Sequence, residues 1–113
     1  MAQSASVLEA FDGLRVCEVV ADWGEKPASF RAKFQSIAAS LEPDERIKLM
    51  VFVHKDGVEL LKAVLADPQA NKVCSLQWEY DGKEDVNLVI PLLINNCPEL
   101  ALLRVEFRNP FCV

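Results

Sequence analysis

Apolar and polar residues alternate in four short stretches of this chain and recur at helical spacing between them. "LRVCEVV" (14–20) is rich in β-branched residues and predicts a strand, and "IKLMVFV" (47–53), "VCSLQWEY" (73–80) and "LALLRVEF" (100–107) predict three more. Between the first two, Phe30, Phe34, Ile37 and Leu41 fall on one face of a helix over 27–41. Pro27 suits its first turn, where a missing N–H is no loss, and "EPDER" ends it. Val58, Leu61, Val64 and Leu65 form the apolar stripe of a second helix, with Asp56 at its cap and Pro68 closing it. "DVNLVIPLLINN" predicts a short or kinked helix opening near Asp85, because Pro91 would remove an interior helical hydrogen bond and clash one turn back. Ahead of the first strand, "SASVLEAF" predicts a short helix with Val7, Leu8 and Phe11 on one side.

Strands that alternate with helices through tight connections predict parallel pairing by right-handed crossovers. No linker or low-complexity segment divides the 113 residues, which fit one domain. Its expected parts are an N-terminal capping segment (1–13), an irregular first β-α unit (14–46), two regular β-α units (47–72 and 73–99), and a final strand with a capping tail (100–113).

Leu49, Leu76 and Leu103 follow one another at intervals of 27 positions. Aligned on them, the last three strands carry apolar residues at their first, third and fifth places: Leu49, Val51, Val53; Leu76, Trp78, Tyr80; Leu103, Val105, Phe107. Alternate strand residues share a face, so one sheet face should be buried at matching heights in all three. A period of about 20 to 29 with one strand and one helix per unit marks a leucine-rich solenoid. "CPELALLRVEF" resembles the "C-P-x-L-x-x-L-x-L" core of cysteine-containing leucine-rich repeats, and "DGVELLKAVLADPQANKVCSLQW" is similar to the helical half of ribonuclease-inhibitor-like repeats, the kind also found in Ran GTPase-activating proteins. The resemblance covers roughly 45–113. It implies an α/β fold of short parallel β-α repeats, with the sheet on one side and the helices on the other. The asparagine that ladders such solenoids should fall at His54, Asp81 and Arg108, and none is Asn; Asn109 stands one place late. "FVHKDGVELLKAVL" also resembles the strand-to-helix turn of anti-sigma-factor antagonist (STAS) domains, where a phosphorylatable Ser precedes the Gly. Asp56 holds that place here, so no phospho-switch is implied.

The other sheet face bears on function. Gln77, Glu79, Arg104 and Glu106 point away from the predicted core, so strands three and four are solvated on one side, unlike the central strands of a doubly wound sheet. Strand two places Lys48, Met50 and Phe52 on that same side. Large apolar residues rimmed by charge have the look of a binding patch, and also of a surface covered by a helix or terminal segment. The candidate partner-binding set is Lys48, Met50, Phe52, Gln77, Glu79, Arg104 and Glu106, with Arg15 and Cys17 extending the face at the first strand.

Composition narrows the classes further. With 51% hydrophobic and 26% charged residues the chain is expected to fold, and its net charge of −5 is spread along it, so no basic patch offers itself to nucleic acid or anionic membrane. The longest apolar runs are far short of the roughly 20 residues that span a bilayer, and the start lacks the pattern of a secretory signal. A soluble cytoplasmic protein is expected. Cys17, Cys74, Cys97 and Cys112 form no CxxC pair, and His54 is the one histidine, which argues against zinc. Two disulfides are arithmetically open, but Cys17, Cys74 and Cys97 lie in or beside apolar segments, where reduced thiols act as small core residues.

His54 follows strand two with no nucleophile beside it in sequence, and reads as a loop residue. "YDGKEDV" lacks EF-hand spacing, Asp85 reads there as a helix cap, and the glycines are isolated, without a phosphate loop. The terminal "FCV" matches the pattern of some PDZ-domain ligands; Phe111 and Val113 equally form a plug over the open end of the last unit. An uncapped edge would be a site for pairing with a second copy. The expected function is non-catalytic: a protein-protein interaction module without cofactor or metal, holding a protein partner on the open sheet face. The alternatives are a STAS-like regulatory domain, or a structural subunit that self-associates, for example as a homodimer.

Overall fold

A computed structural model of the chain describes residues 14–52, 55–80, 82–83 and 85–108. The expected helix around Val7, Leu8 and Phe11, the loop residue His54 and the plug at Phe111 and Val113 lie outside these residues. In chain order the elements are β1 (Arg15–Val20), α1 (Pro27–Ala39), β2 (Glu45–Val51), α2 (Gly57–Leu65), a 3₁₀ turn (Pro68–Lys72), β3 (Val73–Tyr80), a second 3₁₀ turn (Val86–Leu88), α3 (Ile90–Asn96) and β4 (Leu102–Phe107).

Each strand lies parallel to the one before it, in the order β1-β2-β3-β4. Three right-handed crossovers that all advance in one direction put every helix on the same side of the sheet. The buried residues bear this out, since those of α1, α2 and α3 join one cluster with Val19, Leu49, Val51, Leu76 and Trp78 of the strands. The fold is a short parallel β-α repeat in two layers, with the sheet on one side and the helices on the other.

Local chemistry places the boundaries. Pro27 sits in the first turn of α1. That helix stops at Ala39, two residues before the apolar stripe ends, and the Ser40 hydroxyl donates to the Ile37 carbonyl at 2.9 Å. Leu41 still packs against the core. Pro91 is accommodated because the chain enters α3 just before it, which puts the proline in a first turn that needs no N–H. The stretch ahead becomes a 3₁₀ turn capped by Asp85, whose carboxylate accepts the Asn87 N–H at 2.9 Å. Asp67 caps the first 3₁₀ turn in the same way, accepting the Gln69 N–H at 2.9 Å.

The sheet register explains the 27-residue interval. Leu49 lies beside Leu76, and Leu76 beside Leu103. The next inward row runs Val51, Trp78, Val105. Trp78 is fully buried, its indole Nε1 without a hydrogen-bond partner among the described residues. One expectation needs correction. The stripe on β4 faces the helix side, yet Leu103 is 47% and Phe107 60% exposed. Among the described residues no helix follows β4, so this edge strand projects past the helical layer that covers β2 and β3.

Candidate binding surface on the open sheet face

The side of the sheet away from the helices is ordered in rows by the parallel register. One row runs Glu18, Lys48, Ser75, Leu102, and the next Val20, Met50, Gln77, Arg104. Glu79 and Glu106 pair beyond them, and Phe52, one residue past the end of β2, is 41% exposed. Lys48, Met50, Gln77, Glu79, Arg104 and Glu106 therefore share one surface.

Two of the expected residues lie elsewhere. Arg15 and Cys17 are in register with Glu45 and Ile47, on the helix side of β1, so they do not extend the open face. Its contributors from β1 are Val16, Glu18 and Val20. The parity was misjudged because the inward residue of β1 is Val19, beside Leu49, and the edge strand leaves Glu18 more exposed than Cys17. Val16 is fully buried, so the face is not solvated across its whole width.

A hollow of about 210 Å³ opens on this face between β2 and β4. Lys48 and Arg104 stand on its two sides, two strands and one row apart, about 12 Å by strand spacing and rise, with Gln77 and Leu102 between them. Its floor is Ser75, whose small side chain leaves a dip where Gln77 and Met50 rise in the next row. Ser75 and Leu102 were not among the expected site residues, although strict alternation from Gln77 and Arg104 reaches both.

Two acids of the face, Glu79 and Glu106, are already engaged, whereas Glu18 forms no ion pair among the described residues. Glu79 has a side chain only 12% exposed and forms an ion pair with Arg108, with an Nε–Oε1 distance of 3.3 Å. Glu106 accepts from Arg104 Nη2 at 3.1 Å along β4. Lys48 forms no ion pair among the described residues, although Glu18 is its register neighbour. What the hollow offers is therefore donor-rich: an ammonium, a guanidinium with spare N–H groups, an amide and a hydroxyl, beside the apolar Met50 and Phe52.

The thiols are arranged otherwise. Burial raises the Cys97 pKa to about 11 and also raises that of Cys74. At Cys17 burial comes first and the Glu45 carboxylate, 3.8 Å away, adds to it. All three are free. Among the described residues no three His, Cys, Asp or Glu side chains converge as metal ligands, and no helix is long and apolar enough to cross a membrane.

The fold and this face define a class, a two-layer parallel β-α repeat with one sheet surface that no described helix covers. Comparison of the chain with protein-family models, with curated proteins and with solved structures gives no match.

Proposed function

We propose that this chain is a non-catalytic, cytoplasmic protein-binding module of the leucine-rich-repeat kind, which holds a protein partner on the open sheet face. The observation that carries the reading is the hollow between Lys48 and Arg104, set beside the half-buried Met50 and the exposed Phe52. Its donors suit an acidic or carbonyl-bearing side chain of the partner, and the apolar pair supplies the anchor that such interfaces place near their centre. The 27-residue register and the one-sided helices support the repeat reading.

The test is a pull-down from native extract with wild type, Phe52→Asp, Lys48→Glu and Lys62→Glu, each first shown to be folded by circular dichroism. Lys62 is on α2 with its side chain 44% exposed and serves as the helix-side control. A partner retained by Lys62→Glu and lost by both face variants is the expected result. Retention of every partner by Phe52→Asp and Lys48→Glu would remove the open face from the function. A second reading, self-association, is favoured by the exposed leucines and phenylalanine of β4.

A further inference from the structure

We propose that two copies of this chain pair through β4, antiparallel about a two-fold axis at Val105, to form one continuous eight-stranded sheet. The inference goes beyond partner binding on the open face and does not require it.

Among the described residues β4 has a neighbour on one side only, β3. The Arg108 N–H donates to the Tyr80 carbonyl at 2.7 Å, in step with the Tyr80–Phe107 register, which sets the direction of alternate peptide groups along β4: those of Leu102, Arg104 and Glu106 point toward β3. The N–H and C=O groups of Leu103, Val105 and Phe107 point outward, away from the sheet. An unpaired row of this kind is a template for another strand. Natural edges are usually blunted by charged side chains, proline or a bulge; β4 has no proline or bulge, and its two charges, Arg104 and Glu106, are of opposite sign. Between the two edge strands, apolar exposure falls on β4. Leu102, Leu103 and Phe107 are 54%, 47% and 60% exposed, whereas β1, at the other edge, exposes no large apolar side chain.

The sequence of the strand says what fits against it. In an antiparallel pair, residues directly opposite each other share a face. Centred on Val105, the segment "LRVEF" is complementary to itself: Arg104 opposes Glu106 of the second copy, Leu103 opposes its Phe107, and both pairs occur twice. Leu103, Val105 and Phe107 carry the outward peptide groups, so Leu103 and Phe107 exchange both backbone hydrogen bonds, and Arg104 and Glu106 form the non-hydrogen-bonded pair, whose side chains lie closer. Neighbouring registers fail. Centring on Arg104 or on Glu106 sets like charges face to face, and a one-residue slip turns the helix side of one strand against the open side of the other.

The two-fold operation keeps both helical layers on one side of the joined sheet. Leu103 and Phe107, which no described helix covers, then cover one another on the helix side. On the open side each Arg104, already 3.1 Å from its own Glu106, gains a second carboxylate. The symmetry closes at two, so no filament results. Leu102 and Arg104 also line the hollow, so the dimer brings the two hollows together across its axis.

Sedimentation equilibrium with charge variants tests the proposal. Wild type should approach twice the 12.6 kDa chain mass with rising concentration. Arg104→Glu sets acid against acid and Glu106→Arg base against base, so each variant alone should weaken association at least about tenfold. Mixed in equal amounts, the two variants restore both opposite-charge pairs, and the mixture should return to the dimer mass. The side chains of Arg104 and Glu106 are 67% and 34% exposed, so the variants should fold, which circular dichroism checks. A wild type that stays monomeric at its highest soluble concentration overturns the proposal, and that measurement depends on no variant. Dimeric single variants, or a mixture that stays monomeric, overturn it equally. Because the partner test uses Phe52 and Lys48, either idea can fail while the other stands.

Discussion

The Asp67 carboxylate, just beyond the end of α2, accepts a side-chain N–H of Gln35 on α1 at 2.7 Å. It also accepts from the Gln69 N–H at 2.9 Å and from Arg31 Nη2 at 3.3 Å. Burial alone would raise its pKa, but the hydrogen bonds from Gln69, Gln35 and Arg31, with the charge of Arg31, outweigh that and leave it below the usual carboxylate value. A depressed folded pKa contributes stability that is present above the unfolded value of about 3.9 and is lost as pH falls through the folded one. Asp67→Asn should therefore cost about 1 to 3 kcal/mol near neutrality. Urea unfolding as a function of pH should show the gap between wild type and variant closing in acid.

Leu49, Leu76 and Leu103 occupy one row across three strands, but the helices cover only the first two. Leu49→Ala and Leu76→Ala each remove a buried side chain and leave a cavity, at a cost of about 2 to 5 kcal/mol. Leu103→Ala should cost the folded monomer less than about 1 kcal/mol, because half of that side chain already meets water. Chemical denaturation at dilute concentration would show the order. Equal losses at all three positions would mean that β4 is covered as fully as β2 and β3.

That row also shows how much of the protein was legible in the sequence. The interval of 27 reports register, because parallel strands joined by helices of similar length place residues one unit apart side by side, and the four strands and their order followed from it. Periodicity cannot report how far a layer extends, so it marked Leu103 and Phe107 as buried when only their direction is inward. On the open face, alternation placed Lys48, Gln77 and Arg104 correctly on the regular strands. It failed at β1, where the first β-α unit is longer and the register to β2 is offset by 30 positions, Val19 to Leu49, so the repeat gave no phase for Arg15 and Cys17. The ion pair of Glu79 with Arg108 joins β3 to the residue after β4, a contact no local pattern encodes.

The free thiols should react in an order set by access and ionisation. The thiolate is the nucleophile, and burial disfavours it at all three described cysteines. Cys97 and Cys74 are 4% and 2% exposed, whereas Cys17 is partly open at the sheet edge. Under native conditions at mildly alkaline pH, iodoacetamide should, among the three described thiols, modify Cys17 first and leave Cys97 almost untouched until the protein is unfolded in urea. Mass mapping of the labelled peptides gives the order. Fast labelling of Cys97 in the folded protein would show that the α3 end opens locally.

Gly82 lies in the turn after β3 with φ +88°, a backbone conformation that side chains rarely tolerate, and a Cβ added there would run into the Phe107 ring. That ring also packs edge-on to Tyr80, with centroids 5.9 Å apart. Gly24 provides the control, since its φ of +80° is similar but the space around it is open. Gly24→Ala should cost only the left-handed strain, about 1 to 2 kcal/mol. Gly82→Ala should cost that and the displacement of Phe107 as well. In the double variant with Phe107→Ala the ring is gone, so the added cost of Gly82→Ala should shrink to that of Gly24→Ala, a coupling of about 0.5 kcal/mol or more. Urea midpoints of the four variants measure it. If the Gly82→Ala penalty is the same with and without the ring, Phe107 yields freely, and the edge of β4 is softer than the packing of Tyr80, Gly82 and Phe107 implies.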